Sequence, residues 1–118
     1  MKTIYVVDDN DTVRELVEMV LEPKYHVVGF SNGHEAYKAI NTVTCDLIIT
    51  DYEMPVMNGV ELADLVKESS PDTPIMLCSG NLHAASKEPL YRPDLFVGAL
   101  HKPYSPSDLV DMVGEYLK

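Results

Sequence analysis

The sequence predicts an α/β domain built on a five-stranded parallel sheet with helices on both faces. Three observations predict it. Five short, mostly apolar runs recur along the chain, and several are rich in β-branched residues, as strands covered on both faces should be. Stretches of helical period, each about ten residues long, alternate with these runs, which implies right-handed βαβ crossovers. The length of 118 residues accommodates one such unit, so residues 1–118 are expected to form a single domain.

Ile4-Tyr5-Val6-Val7 is the first expected strand. After it, Val13, Leu16, Val17, Val20 and Leu21 fall at i, i+3, i+4, i+7 and i+8, an amphipathic helix stopped by Pro23. His26-Val27-Val28-Gly29-Phe30 is the second strand, and Asn32 is the expected N-cap of the next helix. Glu35 stands three residues on, and Ala36, Tyr37 and Ile40 share one face. Leu47-Ile48-Ile49-Thr50 is the third strand, followed by a helix marked by Leu62, Leu65 and Val66 that ends before Pro71. Pro74-Ile75-Met76-Leu77-Cys78 and Val97-Gly98-Ala99-Leu100 complete the sheet. Between them, residues 82–93 carry Pro89 and Pro93 and poor apolar spacing, so a short or broken helix is expected there. The final helix has the fullest signal: Ser105 at N-cap, Pro106 at N1, Asp108 at N3, and a stripe of Leu109, Val113, Tyr116 and Leu117.

Composition narrows the function classes. Nine Lys and Arg against nineteen Asp and Glu give a net charge of −10, so a polyanion is repelled and direct nucleic-acid binding is not expected. There is no apolar run long enough to span a bilayer and no signal-peptide cleavage pattern after Met1-Lys2-Thr3, so the chain reads as cytosolic, without a membrane partner. Cys45 and Cys78 lack C-x-x-C spacing and lie in or beside apolar runs, as buried free thiols do. His26, His34, His83 and His101 have no metal-ligand spacing.

In a parallel sheet of this kind the site lies outside the carboxyl ends of the strands. Asp8 and Asp9 follow the first run, Asp51 the third, Ser79 the fourth, and Lys102-Pro103 comes shortly after the fifth. Taken singly these residues have structural readings: an N-cap cluster for Asp8, Asp9, Asn10 and Asp11, a turn residue for Asp51, a turn pair for Ser79-Gly80, a surface lysine for Lys102. Their joint placement points elsewhere. Three carboxylates within a few ångström repel one another by about 4 kcal/mol per close pair at an effective dielectric near 20, and a divalent cation relieves that repulsion. Mg²⁺ suits hard oxygen ligands that leave several waters in place. Beside such a cation and a lysine, Asp51 is an ionised carboxylate in a setting that neutralises the oxygens of a transferring phosphoryl group.

The motifs are Val6-Val7-Asp8-Asp9-Asn10, then Ile48 through Gly59 with Asp51-Tyr52-Glu53-Met54-Pro55 at its centre, then Cys78-Ser79-Gly80, then His101-Lys102-Pro103-Tyr104. In this combination and order the chain resembles, over its whole length, the receiver domain of two-component response regulators, of the chemotaxis-regulator kind. The resemblance implies a flavodoxin-like sheet of strand order 2-1-3-4-5 and Asp51 as acceptor of a phosphoryl group from a phosphohistidine. The donor would be a sensor histidine kinase or a phosphotransfer protein. It implies Mg²⁺ on Asp9, Asp51 and the backbone carbonyl of Glu53, with Asp8 helping through water. Ser79 would be the switch hydroxyl, and Lys102, aimed by a cis peptide before Pro103, would contact the phosphoryl group. The output would be a downstream partner or an output domain, and the only catalysis its own phosphorylation and dephosphorylation. One departure is Ala99, where many receivers carry an aromatic residue that moves inward, so signalling is expected through Ser79 and the segment after it. Two rival readings are a small Mg²⁺-dependent aspartyl-phosphate hydrolase of haloacid-dehalogenase type, suggested by Asp51-Tyr52-Glu53, and a flavin-binding protein. The latter lacks a Ser/Thr/Gly-rich phosphate loop.

Overall fold

The computed structural model describes residues 1–80 and 92–117. Strand β1 (Thr3–Val7), helix α1 (Asp11–Leu21), β2 (His26–Phe30), α2 (Gly33–Thr42), β3 (Leu47–Asp51), α3 (Gly59–Ser69), β4 (Ile75–Ser79), β5 (Gly98–His101) and α4 (Pro106–Tyr116) follow in chain order. All strand pairings are parallel, and the sheet order is β2-β1-β3-β4-β5. The order reverses between β1 and β3, so the loops leaving those two strands part to opposite sides and open a crevice at their carboxyl ends.

The period of two along each strand sorts side chains to the two faces. Tyr5, Val7, Ile48, Ile75 and Leu77 pack with Ala36, Ile40, Leu62, Ala63 and Val66 of α2 and α3. Ile4, Val6, Leu47, Ile49, Met76 and Cys78 pack on the other face with Val17, Leu21, Leu109 and Val113 of α1 and α4. Each fully buried leucine, such as Leu47 or Leu62, contributes about 1.5–3 kcal/mol. The central strands β1, β3 and β4 are buried on both faces, whereas β2 and β5, at the edges, are only half covered.

Helix starts follow local chemistry. Asn10, Asn32, Asn58 and Ser105 each cap a helix, their side chains accepting from Val13, Glu35, Glu61 and Asp108 N–H respectively. The Asn58–Glu61 and Ser105–Asp108 caps are reciprocal, with each acidic side chain returning to the N-cap amide.

Several expectations shift in detail. Leu16 is 54% exposed although it lies on the apolar stripe of α1, because that stripe is wider than the sheet contact. Its outer edge, with Val13 and Val20, lines a groove shared with Tyr104, Pro106 and Leu109 beside α4. Cys45 is only partly buried, since it precedes β3, while Cys78 within β4 is buried; both are free thiols. Leu95 and Phe96 join the core just before β5, a contribution the sequence reading passed over. The expected break in residues 82–93 lies outside the described residues except for Arg92 and Pro93. Among the described residues no helix is long and apolar enough to cross a membrane.

Candidate functional site

Four strand ends deliver the site. Thr50 and Asp51 register beside Val7 of β1 and Cys78 of β4 respectively, so Asp51 terminates the central strand and enters the crevice between its neighbours. Asp8 follows β1 directly, and its N–H donates to the Phe30 carbonyl of β2 at 3.1 Å. One carboxylate oxygen each from Asp8, Asp9 and Asp51 lie within 4.8 Å of one another. Asp8 is buried, Asp51 half-buried and Asp9 exposed, so the cluster opens to solvent on the Asp9 side.

Lys102 enters from beyond β5. Its Nζ lies 3.2 Å from Asp51 Oδ1 and 3.3 Å from Asp8 Oδ2, bridging the two less exposed members of the cluster. Its backbone N–H donates to the Ser79 carbonyl at 2.8 Å, and the Lys102–Pro103 peptide is cis. Ser79, 1% exposed, is the last residue of β4 and not the first of the loop. Glu53 sits two residues past β3, exposed, in a loop whose start is fixed by the Tyr52 N–H donating to the Cys78 carbonyl.

The charges act on one another. Burial pushes the Asp51 carboxyl above its usual range; Lys102 pulls it down, and the Asp8 carboxylate pushes it up again. Burial disfavours the Lys102 ammonium, but Asp8 and Asp51 outweigh burial, so its pKa lies above the usual lysine value. The Tyr104 hydroxyl engages the Cys78 thiol, and burial pushes Tyr104 upward and Cys78 to about 12. Cys78 is therefore a protonated packing thiol at neutral pH.

All the singled-out side chains, Asp8, Asp9, Asp51, Ser79 and Lys102, thus stand at the carboxyl edge of the sheet, with Glu53 in the adjoining loop. The acidic run after β1 also plays the capping role read for it, since Asn10 caps α1 and Asp11 occupies the first turn. Arg14, which the sequence motifs do not include, and Gly59, which enters them only as the end of the second motif, also serve the site. Arg14 donates to the Asp8 carbonyl at 2.9 Å, and Gly59 lets α3 start against β3, where a Cβ would sit 2.6 Å from the Asp51 carbonyl oxygen. The Asn58-Gly59-Val60-Glu61 capping pattern was the available signal for Gly59; for Arg14 it was its spacing from Asp11 and Glu18.

A family model described as the response regulator receiver domain matches residues 4–114. The chain belongs to that family. This receiver is 36% identical over 110 residues to the response regulator receiver protein CpdR of Brucella abortus, covering 93% of this chain and 91% of CpdR. It is 34% identical to the autoinducer 1 sensor kinase/phosphatase LuxN of Vibrio harveyi, over 98% of this chain but 13% of LuxN. The solved chemotaxis response regulator CheY4 of Vibrio cholerae superposes with a TM-score of 0.89 at 28% identity, covering 98% of each chain. Membership carries the two-component reading over the dehalogenase-type and flavin alternatives. The chemotaxis-like character and the 2-1-3-4-5 sheet stand as expected.

Proposed function

We propose that residues 1–118 act as one phosphoacceptor domain in which Asp51 receives a phosphoryl group, with Mg²⁺, from a phosphohistidine of a sensor histidine kinase or phosphotransfer protein. The observation that carries this reading is the bridge of Lys102 to Asp51 at 3.2 Å within a cluster of three carboxylates. The donor set suits a hard divalent ion, since it offers ionised oxygens on an open side and no nitrogen or sulfur ligand. Asp9, Asp51 and the Glu53 backbone carbonyl would hold it, with Asp8 acting through water. Bound Mg²⁺ supplies neutralisation of the charge spread over the phosphoryl oxygens.

The remaining chemistry belongs to the chain. An Asp51 carboxylate oxygen attacks phosphorus, the P–N bond to the donor imidazole breaks, and the imidazole nitrogen leaves with the electron pair. No general base is needed, because Lys102 favours the ionised nucleophile against the effect of burial. The Lys102 ammonium then has an anionic phosphoryl group to contact in place of the Asp51 oxygen. Ser79 is the switch hydroxyl, and the shift it makes toward the phosphoryl group reaches a downstream partner or output domain. Turnover is confined to the domain's own acyl phosphate, in a reducing cytoplasm that suits its free thiols.

The test uses a small acyl phosphate donor and Mg²⁺, with intact mass as the readout. The wild type gains one phosphoryl group and Asp51→Asn gains none. Equal labelling of the two proteins removes Asp51 as acceptor. Repeated turnover of unrelated phosphate esters would instead favour the hydrolase.

A further inference from the structure

The Asp8–Asp9 peptide sets the direction in which Asp9 faces the cluster, and three hydrogen bonds hold this stretch. Its entry is fixed by the sheet, through Asp8 N–H to the Phe30 carbonyl at 3.1 Å. Its exit is fixed by the Asn10 N–H donating to Asp8 Oδ1 at 2.9 Å. Between them, Arg14 Nη1 donates to the Asp8 carbonyl oxygen, the oxygen of the Asp8–Asp9 peptide itself, at 2.9 Å.

The guanidinium is in turn held from two further directions. Nη2 donates to Asp11 Oδ1 at 2.7 Å, and Nε lies 3.9 Å from Glu18 Oε1. The Arg14 side chain is only 16% exposed, and Gly29 of β2 leaves it room: a Cβ there would come within 3.1 Å of Arg14 Cδ and 1.8 Å of Glu18 Oε1. A planar fork fixed at one prong by Asp11 and aimed by the other at a backbone carbonyl locks a peptide plane in a way a flexible ammonium does not.

We propose that Arg14 is a positioning residue for the divalent-cation site, acting through the Asp8–Asp9 peptide and not through its charge. The proposal rests on the Mg²⁺ reading above and deepens it. The two modes of action differ in sign. A cation near a cation site opposes metal binding, so removing a charge that acted only electrostatically would tighten Mg²⁺. Removing a peptide anchor loosens it.

The experiment titrates Mg²⁺ calorimetrically into metal-free wild type, Arg14→Lys and Arg14→Gln, with urea melts in chelator to establish that each is folded. Outer contacts of this kind typically account for 10–100-fold in metal affinity. Arg14→Lys, which keeps the charge and loses the fork, is expected to weaken Mg²⁺ binding about tenfold. Arg14→Gln weakens it too, in spite of the lost positive charge. Labelling of Asp51 by the acyl phosphate slows in both at low Mg²⁺ and returns close to the wild-type rate when Mg²⁺ saturates. Should Arg14→Gln not fold, Arg14→Lys decides. A folded Arg14→Lys with wild-type Mg²⁺ affinity, or a folded Arg14→Gln that binds more tightly, overturns the proposal. A wild type that neither binds Mg²⁺ nor labels at Asp51 overturns the reading beneath it instead.

Discussion

Burial and Lys102 pull the Asp51 carboxyl in opposite directions, and burial is the larger of the two. Burial raises the Asp51 carboxyl, so without metal the folded state binds that proton more readily than the unfolded chain does. A carboxyl raised in this way contributes stability at acid pH, below its unfolded value. That contribution is lost as pH climbs through the raised folded value. At neutral pH the ionised Asp51 therefore costs stability, and Asp8 beside it adds to the cost. In metal-free buffer at neutral pH Asp51→Asn is expected to melt above the wild type, with the gap closing as pH falls into the carboxylate range. Thermal melts across pH check this, and a variant that melts lower at neutral pH would contradict it. At this scale Asp8, Asp9, Asp51, Ser79 and Lys102 were legible in the sequence because each ends or follows an apolar run. Arg14 was not, since its spacing from Asp11 and Glu18 signals only helix-surface ion pairs and the Asp8 carbonyl it holds leaves no mark in a sequence.

The helices show which local rules were readable and which were not. Caps at Asn32 and Ser105 could be read because each pairs a short polar residue with an acidic one three positions on. Asn58 obeys the same rule, yet its signal was hidden among residues that look like a turn. Gly59 beside it is set by a tertiary contact, the close approach of α3 to the end of β3, which no local pattern encodes. Gly59→Ala places a Cβ against the Asp51 carbonyl oxygen, where backbone cannot swing aside as a side-chain tip can. Overpacking of this kind costs about 1–3 kcal/mol. It should therefore exceed the loss from Asn58→Ala, about 1 kcal/mol for a missing cap. Urea denaturation ranks the two. Gly59→Ala is also expected to label more slowly at Asp51, as the strand end must shift. Tyr116 is a similar case: its spacing places it on the apolar stripe of α4, but its hydroxyl donates to the Val97 carbonyl across Gly98, where a Cβ would lie 2.9 Å from the hydroxyl oxygen.

For the molecule as a whole, the alternation of runs and helices was enough to give the sheet and its two packed faces, because parallel strands must cross over through helices. The edge positions of β2 and β5 follow from strand order, which the resemblance supplied and the apolar pattern alone did not. Three carboxylates cluster at the carboxyl edge of a chain whose net charge is already −10, so Mg²⁺ should stabilise the entire fold and not the loops alone. At about 100 times its dissociation constant the ion is expected to add about 2.7 kcal/mol, seen as a raised melting midpoint in millimolar Mg²⁺. An unchanged midpoint would argue against the metal site. The hydrogen bond from Lys102 to Asp8 joins residues 94 positions apart. The entropy of closing so long a loop must be met before the contact forms, which needs β5 docked on β4. During synthesis Asp8 leaves the ribosome well before Lys102. A chain cut before Lys102 therefore carries Asp8 and Asp51 without the ammonium that bridges them, and their mutual repulsion goes unrelieved until β5 is in place.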